Sequence, residues 1–448
     1  MENHSEVLRA LSAPLIDISG KVVDVAPQSF RVAGLSPFVR LGDCISCPGE
    51  ESEELGEVVR IDADSLTVKP YTNRFNRGVG ASAMKIGPFS ITPDASWRGR
   101  VLDAFCRPQD DKGPILQGEE KRPVDAQPLS ALKRARLSEP VPTGVSVVDI
   151  FTPLVKGQRL GIFAGSGVGK STLMGMLSQA KGFDTVVVAL VGERGREVRE
   201  FLEEVMEGQL DKVVTVVATG DESPMMRRLA PRTATAVAEH FRDQGDHVLL
   251  IVDSVTRYAH AARDVALSAG EPPVSRGYPP SVFSELPLLL ERAGTGLEGS
   301  GTITGLYAVL VDGDDHNDPV ADAIRGTLDG HIVLDREIAE QGRFPAVDFL
   351  KSISRLADKA WQGSERELVT RLRAMTSRFE DTRDLRLLGG YQRGSDQTLD
   401  QAVDLVPHIY DFLAQRPGEG SHAKPFDALS AALKQAMTAK MEAAPKKK

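Results

Sequence analysis

A glycine-rich segment lies between a strand-like run, residues 158–163, and a helix-like run, residues 173–180. This strand–loop–helix order is the setting of a phosphate-binding loop. The glycines of such a loop let successive backbone N–H groups turn inward around phosphate oxygens, beside the positive end of the helix dipole. The residues predicted to surround the phosphates are Ala164, Gly165, Ser166, Gly167, Val168, Gly169, Lys170, Ser171 and Thr172.

Two side chains at the end of this loop add a charge and a hydroxyl group. Lys170 is placed to reach the β- and γ-phosphates of a nucleotide, and the Ser171 hydroxyl is placed to bind Mg²⁺. Ala164 stands where the strict pattern has glycine, so the match is to the relaxed form of the motif. The alternative is an ordinary glycine-rich turn, which the flanking strand and helix disfavour.

An apolar run, residues 247–252, ends in a carboxylate, Asp253. An acid at the carboxyl end of a buried strand can hold the water shell of Mg²⁺. A buried strand that ends in aspartate is common, but here a phosphate-binding loop lies about eighty residues upstream. The combination predicts that Ser171 and Asp253 form a magnesium site.

Glu193 and Arg194 follow the next apolar run after the loop, residues 184–191. We expect that strand to lie beside the strand of the loop, with its carboxyl end facing the γ-phosphate. Hydrolysis needs a carboxylate that orients and polarises the attacking water, and Glu193 is the candidate. Arg194 is a candidate contact to the γ-phosphate or to a neighbouring subunit. The spacing alone fits a solvated charged turn equally well.

The bulk composition is that of a globular protein. The chain has 448 residues, of which 41% are hydrophobic and 26% charged, and its net charge is −9. No apolar run approaches the roughly 18 residues that span a bilayer, and the N-terminus lacks the features of a signal peptide, so we expect a cytoplasmic location. The acidic balance disfavours a dedicated nucleic-acid binder.

The chain contains three cysteines, Cys44, Cys47 and Cys106. Cys44 and Cys47 have the spacing of a zinc or redox pair. A structural zinc site needs four ligands, however, and no second pair or nearby histidine supplies them. We therefore expect Cys44 and Cys47 to be reduced, partly buried thiols.

Composition and periodicity divide the chain into four parts, and the predicted fold class is α/β. Residues 1–16 form an amphipathic segment that either packs on the rest of the chain or docks on a partner. Residues 17–92 contain short alternating runs that predict a small β-barrel or sandwich. Residues 93–359 alternate near-continuous apolar strands with helices, which predicts a parallel sheet covered on both faces. Residues 360–448 are predicted to be helical.

These segments resemble the F1/V-type rotary ATPase superfamily over most of the chain. The loop AGSGVGKS at 164–171 is similar to GGAGVGKT in the F1 β subunit, and GER at 192–194 resembles the GER motif of that subunit. FPAVD at 344–348 resembles a YPAVD motif, and SISR at 352–355 resembles a Ser-x-Ser-Arg element. The resemblance implies a RecA-like central domain that binds ATP and Mg²⁺, with Glu193 as the catalytic carboxylate.

The resemblance also implies roles for residues outside the loop. The Phe344 ring would stack on adenine, since phenylalanine keeps the stacking face of the superfamily's tyrosine. Arg355 corresponds to an arginine finger, which enters the active site of the neighbouring subunit. Tyr391 is a further candidate for the adenine pocket, the alternative being an aromatic side chain packed between domains. The implied catalytic set is Lys170, Glu193, Arg194 and Arg355.

Within the superfamily, four segments resemble the flagellar and type III secretion export ATPases: residues 132–140, 157–170, 328–334 and 388–394. Ala164 in place of the first loop glycine is usual in that branch. The sequence as a whole, rather than any single motif, favours a flagellar enzyme over a virulence-injectisome enzyme. The branch implies a ring ATPase that hydrolyses Mg·ATP to energise protein export. Each chain carries both Glu193 and Arg355, which is compatible with a homohexamer whose sites are shared between subunits.

The same resemblance implies partners and a place of action. These are export chaperone–substrate complexes, an export gate at the cytoplasmic face of the inner membrane, and a stator-like regulatory protein on residues 1–16. Three alternatives stay open: a catalytic subunit of a rotary ATP synthase or proton pump, an RNA translocase similar to Rho, and a regulatory subunit that binds ATP without turnover. The acidic charge and the missing aromatic and basic RNA platform disfavour the second, and Glu193 disfavours the third.

Overall fold

The computed structural model describes residues 18–49, 52–136, 139–205, 210–311, 318–420 and 422–443. The amphipathic segment predicted for residues 1–16 lies outside this part of the chain. The described residues form a β-barrel, an α/β body and a group of helices, in that order. The predicted fold class is confirmed, whereas the domain boundaries at 92/93 and 359/360 stay predictions.

Six strands of the described chain close into a barrel: β1 (Ser19–Ala26), β2 (Ser29–Ala33), β3 (Asp43–Pro48), β4 (Glu53–Ile61), β5 (Ser65–Pro70) and β6 (Ser82–Pro88). Their order is β1-β2-β5-β4-β3-β6, and β6 pairs back onto β1. Alternate side chains point inward, so that Val22, Phe30, Val32 and Leu66 meet in one core. Of the two predicted forms, barrel and sandwich, the barrel is the one observed.

Thirteen further strands follow in the described chain: β7 (Ser90–Ile91), β8 (Val101–Asp103), β9 (Arg122–Pro123), β10 (Pro140–Val141), β11 (Leu154–Val155), β12 (Arg159–Ala164), β13 (Thr185–Val191), β14 (Val213–Ala218), β15 (His247–Asp253), β16 (Gly294–Thr295), β17 (Thr302–Leu310), β18 (Gly330–Leu334) and β19 (Ile353–Ser354). Nine of these form the central sheet, in the order β19-β18-β12-β17-β15-β13-β14-β8 with β16 paired on β17. The strands from β18 to β8 run parallel, and β19 is antiparallel to β18.

The central strands are buried on both faces, as their apolar sequences predict. In β13, Val187 and Ala189 contact one core while Val186 and Val188 contact the other. The first core is covered by the helices Pro224–Asp243, Val255–Ser268, Pro280–Leu290 and Pro319–Thr327. The second is covered by the helices Ser146–Phe151 and Lys170–Ser178 and by the C-terminal helices Gly363–Asp381, Gln397–Leu413 and Pro425–Ala443.

Two of the C-terminal helices begin at capping residues. Gln362 and Glu365 form a capping box for Gly363–Asp381, and the Asp396 carboxylate accepts hydrogen bonds from the first turn of Gln397–Leu413.

Within the described residues, no helix is long and apolar enough to cross a membrane. The shorter helical elements are Gly195–Glu200, Phe201–Val205, Arg336–Glu340, Ala357–Ala360 and Arg383–Leu387, with 3₁₀ turns at Ser36–Phe38, Ala95–Trp97, Ala131–Lys133 and Leu210–Lys212.

The strand order corrects one expectation about the site. The strand that precedes Glu193, β13, does not lie beside the strand of the loop, β12, because β17 and β15 lie between them. Of these two intervening strands, β15 carries Asp253 and β17 comes from later in the chain. All four strands are parallel, however, so their carboxyl ends still share one edge.

Cys44 and Cys47 lie three residues apart in β3 and point in opposite directions. Cys44 belongs to the first core of the body and Cys47 to the core of the barrel, and burial raises the pKa of each thiol to about 11. Both are free thiols. In the chain as described, no group of three or more His, Cys, Asp or Glu residues could hold a metal ion. The two thiols thus lie in separate cores, and both are more deeply buried than the partly buried thiols that we expected.

A buried ion pair links the segment after the barrel to the helix Pro224–Asp243 and to Arg292, just beyond the helix Pro280–Leu290. The Arg292 and Glu239 side chains are 3% and 8% exposed, with Nη2 and Oε2 2.7 Å apart. Arg292 Nε donates to Oε1 of Glu239 at 3.0 Å, and its Nη1 donates to the Val124 carbonyl at 2.6 Å. Two charges at this depth are tolerated because each satisfies the other.

We expect Glu239→Leu to lower the free energy of unfolding by about 3–5 kcal/mol, because it leaves the Arg292 guanidinium buried without its partner. The double variant Glu239→Leu/Arg292→Met should recover a large part of this loss, since no charge then stays buried. Differential scanning calorimetry measures the effect as a change in Tm. Equal Tm values for the single and double variants would contradict this account of the pair.

Candidate active site

The glycine-rich loop connects the carboxyl end of β12 to the helix Lys170–Ser178. Gly167 and Gly169 have φ angles of +78° and +89°, which side chains other than glycine rarely adopt. Gly169 is the N-cap residue, and no side chain caps the helix. The first intrahelical bond runs from the Leu173 N–H to the Gly169 carbonyl at 3.0 Å. The N–H groups before it are therefore available to bind phosphate oxygens.

The loop residues differ in exposure along its length. Ala164 is the last residue of β12 and pairs with Leu310 and Leu334 on either side, so its methyl group fills a place in the core. Val168 is buried as well. Gly165 is also buried, Gly169 and Lys170 are half-buried, and Ser166, Gly167, Ser171 and Thr172 are exposed. The exposed residues include the hydroxyl group that was predicted to bind Mg²⁺.

Lys170 lies between the two carboxylates that the sequence singled out. Its Nζ forms a salt bridge with Oδ1 of Asp253 and lies 3.8 Å from Oε1 of Glu193. Asp253 is the last residue of β15, and its side chain is only 3% exposed. The structure thus brings Lys170, Asp253 and Glu193 together at the carboxyl edge of the sheet, although their strands are not all neighbours.

Glu193 is held in place by its backbone and by an arginine. The Gly192 N–H donates to the Ala218 carbonyl at 2.6 Å, and the Glu193 carbonyl accepts from the Gly220 N–H at 3.0 Å. Gly192 has a φ of +68°, and a Cβ there would lie 2.9 Å from Cδ of Arg257. Glycine at this position lets the Arg257 guanidinium approach Glu193, with Nη1 and Oε2 2.7 Å apart.

Arg257 is a site residue that sequence reasoning missed. It lies in the first turn of the helix Val255–Ser268, four residues after Asp253. The signal was available, because a residue in the first turn after a strand-end acid must lie close to the same edge of the sheet. Arginine can also bind phosphate oxygens, so Arg257 belongs with the candidate binding residues.

The pKa of Glu193 is raised to about 7, first by burial, then by a hydrogen bond to Glu197 and by the nearby Asp253 carboxylate. Lys170 and Arg257 act in the opposite direction. The shared hydrogen bond lowers the pKa of Glu197, which is the more exposed of the two acids. A carboxylate that titrates near neutral pH is suited to exchange a proton with water.

Arg194 points away from the centre of this group. Its side chain is 85% exposed, and its Nη1 lies 3.3 Å from Oε1 of Glu197. An exposed ion pair of this kind contributes little to stability. The geometry thus leaves Arg194 on the surface beside the site, where its predicted contact to a phosphate or a neighbouring subunit stays a prediction.

The Phe344 ring lies next to the loop. A Cβ built on Gly169 would be 3.8 Å from Cδ1 of Phe344, and the ring is 46% exposed. Its other neighbours include Val147, Tyr410 and Leu413, the last two from the C-terminal helices. An exposed aromatic face beside a phosphate-binding loop is placed to stack on the base of a bound nucleotide.

Tyr391 makes its contacts within the C-terminal helices. Its hydroxyl donates to Oδ1 of Asp400 at 2.5 Å, and the Gly394 N–H donates to the other oxygen of that carboxylate at 2.8 Å. The C-terminal residues that lie beside Phe344 are instead Tyr410 and Leu413, at the end of the helix Gln397–Leu413, and Ala414. The role of Tyr391 in an adenine pocket stays a prediction, and Tyr410 and Leu413 are the neighbours of Phe344 that sequence reasoning did not find.

Arg355 is exposed and lies at the opposite end of the sheet from the loop of its own chain. β19 pairs with the first residues of β18, Ile353 opposite His331 and Ser354 opposite Gly330, whereas the last residues of β18 pair with the end of β12. The Arg355 N–H donates to the Asp329 carbonyl at 2.9 Å. Arg355 therefore does not join Lys170, Asp253 and Glu193 within one chain.

Parallel strands that deliver a lysine and two carboxylates to one edge, behind a glycine loop, are typical of P-loop nucleotide-hydrolysing proteins with a RecA-like core. Comparison with known families agrees. The model of the ATP synthase alpha/beta family, nucleotide-binding domain, matches residues 144–354, and that of the T3SS EscN ATPase C-terminal domain matches residues 361–441. The chain belongs to the ATP synthase alpha/beta family, in its flagellar and type III secretion ATPase branch.

Individual relatives match nearly the whole chain. A flagellum-specific ATP synthase of Rhizobium meliloti (strain 1021) is 55% identical over 93% of this chain and 89% of its own length. A type 3 secretion system ATPase of Xanthomonas euvesicatoria is 42% identical over 88% of this chain and 89% of its own. The structure of the assembled ATPase EscN from enteropathogenic E. coli has a TM-score of 0.86 at 38% identity and covers 93% of this chain and 99% of that chain.

We expect kcat/KM for ATP hydrolysis to fall as the pH drops through about 7, because protonation neutralises Glu193, the candidate for the carboxylate that polarises water. Glu197→Gln removes one cause of the raised pKa, so the acidic limb of the profile should move to lower pH. Profiles measured at saturating Mg²⁺ test this. Glu200→Gln is the matched control, since Glu200 pairs with Arg196 in the same helix. An acidic limb that stays in place in Glu197→Gln would show that Glu193 does not set it.

Proposed function

We propose that the chain hydrolyses Mg·ATP in a ring of identical subunits and that this activity energises flagellar-type protein export. The observation that carries the hydrolytic part is the meeting of Lys170, Asp253 and Glu193 at the loop. Lys170 would exchange its carboxylate partners for the β- and γ-phosphates when a nucleotide binds. Glu193 would orient the attacking water, and Arg257 would hold that carboxylate in position.

The residues present fit a magnesium ion. The exposed Ser171 hydroxyl and the buried Asp253 carboxylate are oxygen donors of the kind that Mg²⁺ prefers, the second acting through water. A bound Mg²⁺ would neutralise charge on the phosphates. The Phe344 ring would stack on adenine at the other end of the nucleotide, next to Gly169.

The position of Arg355 supports a catalytic site shared between subunits. An arginine finger must reach the γ-phosphate, and Arg355 lies at the wrong end of the sheet to do so in its own chain. It is exposed and can therefore enter the site of a neighbouring subunit. The similarity to the assembled EscN supports a ring in which each copy supplies both the loop and the finger.

The export role rests on the relatives. Flagellum-specific relatives reach 55% identity, and two type III secretion relatives are 42% and 44% identical, so a flagellar enzyme is favoured over an injectisome enzyme. EscN has also been solved in complex with its central stalk, EscO. The side chains of Leu385, Leu387 and Leu388 are 48%, 76% and 87% exposed, and they would suit a comparable stalk protein.

Only the family resemblance supports the remaining partners. They are chaperone–substrate complexes, an export gate at the cytoplasmic face of the inner membrane, and a regulatory protein on residues 1–16. A catalytic subunit of a rotary ATP synthase is the nearest alternative enzyme. The match of residues 361–441 to the C-terminal domain of EscN-type ATPases favours export over that alternative.

We expect Glu193→Gln to bind ATP with an affinity close to that of the unmodified protein and to lose turnover by about 10²–10⁴, the usual contribution of a general base. The amide keeps the shape of the side chain but cannot polarise water in the same way. Equilibrium binding of a fluorescent ATP analogue and steady-state phosphate release measure the two effects separately. Near-normal hydrolysis would remove Glu193 from the catalytic role.

A mixture of Arg355→Ala and Lys170→Ala chains should regain activity if the site is shared. In a ring assembled at random from equal amounts, about a quarter of the sites combine an intact loop with an intact neighbouring finger. Each variant alone should be nearly inactive, because an arginine finger contributes about 10³–10⁵ to turnover. Mixing either variant with the double variant Lys170→Ala/Arg355→Ala is the control, and activity in the first mixture no higher than in the control would argue against a shared site.

A further inference from the structure

The position of the Phe344 ring is set by residues far along the chain. The ring itself is almost half exposed, so its own packing holds it on one side only. The peptide carbonyl of Phe344 accepts a hydrogen bond from the Gln415 N–H at 2.9 Å. Gln415 directly follows Ala414, which ends the helix Gln397–Leu413, so this bond joins the ring to the C-terminal helices.

Gln415 is in turn fixed by its side chain. Its Oε1 accepts from the Ser146 N–H at 3.0 Å, and its Nε2 donates to the Gly144 carbonyl at 2.8 Å. The residue is 9% exposed, and both polar atoms of its amide are thus satisfied by backbone groups of the body. The Gln415 amide therefore determines where its own N–H, and with it Phe344, is held.

A second connection starts from the residue before the ring. The Arg343 guanidinium lies over the Tyr410 ring, with Cζ 3.9 Å from the ring centroid. The Tyr410 hydroxyl donates to Oε1 of Glu380, in the neighbouring helix Gly363–Asp381. Arg343, Tyr410 and Glu380 thus link the chain at Phe344 to two C-terminal helices.

The space between the Phe344 ring and the C-terminal helices is nearly filled. The cavity bounded by Val147, Phe344, Tyr410, Leu413 and Ala414 has a volume of about 20 Å³. That is room for about one water molecule, so the ring cannot move toward the C-terminal helices without displacing them. The ring position and the position of these helices are therefore coupled.

We propose that Gln415 and Tyr410 are positioning residues that fix the Phe344 ring for the base of a bound nucleotide. The C-terminal helices thereby set the affinity for ATP through the base, whereas Lys170, Asp253 and Glu193 act on the phosphates. The inference rests on the proposed function, since it requires a nucleotide on the loop with its base at Phe344. It adds two residues that touch no phosphate and act through the ring alone.

Two variants test the two connections independently. Gln415→Ala removes both amide contacts, and Tyr410→Phe keeps the ring under Arg343 but removes the hydrogen bond to Glu380. For each, KM and kcat are measured with ATP and with ribose 5-triphosphate, which carries no base. We expect KM for ATP to rise about three- to tenfold, part of the contribution of a base-stacking contact, with kcat within about twofold. KM for ribose 5-triphosphate should not change.

Ser377→Ala is the matched control, because it also removes a hydroxyl–carboxylate hydrogen bond from the helix Gly363–Asp381. It should leave both KM values unchanged. A rise of KM for both substrates in the test variants, or for neither, overturns the inference. Phe344→Ala distinguishes the causes of a failure. If Phe344→Ala lowers the preference for ATP over ribose 5-triphosphate while Gln415→Ala and Tyr410→Phe leave it unchanged, only the inference is wrong. If Phe344→Ala also leaves this preference unchanged, the base contact of the proposed function is wrong as well.

Discussion

The salt bridge between Lys170 and Asp253 is the interaction on which the arrangement of the site depends. Asp253 ends a strand in the interior, and a carboxylate buried this deeply is costly unless an opposite charge lies beside it. Lys170 supplies that charge because β12 and β15 end at the same edge of one parallel sheet. In the proposed function, the same lysine exchanges this partner for phosphate oxygens, so the pair that positions these two side chains is also the one that a nucleotide would replace.

Glu193 depends on this pair and on local backbone geometry. It lies at the end of β13, two strands further along the sheet than a direct neighbour of β12 would lie. Glu193 still reaches the site because the carboxyl ends of the parallel strands share one edge of the sheet. The left-handed turn at Gly192 leaves room for the Arg257 guanidinium, which contacts the Glu193 carboxylate. Burial between these groups then raises the pKa of Glu193 to about 7. The electrostatic character of the candidate base is thus a product of the fold around it.

Local patterns predicted the parts of this site that depend on neighbouring residues. The loop, the strand end at Asp253 and the carboxylate at Glu193 each follow from a few consecutive residues, and the apolar runs predicted strands buried on both faces. Strand order was predicted wrongly, because similar apolar strands do not specify their neighbours. Arg257 and the residues around Phe344 depend on how helices pack against the sheet. Tyr410, Leu413 and Gln415 lie about seventy residues beyond Phe344, and no periodicity in the sequence indicates that contact.

The strand β12 connects the two functional ends of the body. Its last residue, Ala164, begins the loop, and its first residue, Arg159, pairs with Asp329, whose carbonyl accepts the Arg355 N–H. Six residues of extended chain span about 20 Å, and a strand hydrogen-bonded on both sides does not stretch. The loop and Arg355, the proposed finger, are therefore held a fixed distance apart in one chain. In the proposed ring, a subunit that turned as a body to bring its finger closer to a neighbour's nucleotide would move its own loop at the same time.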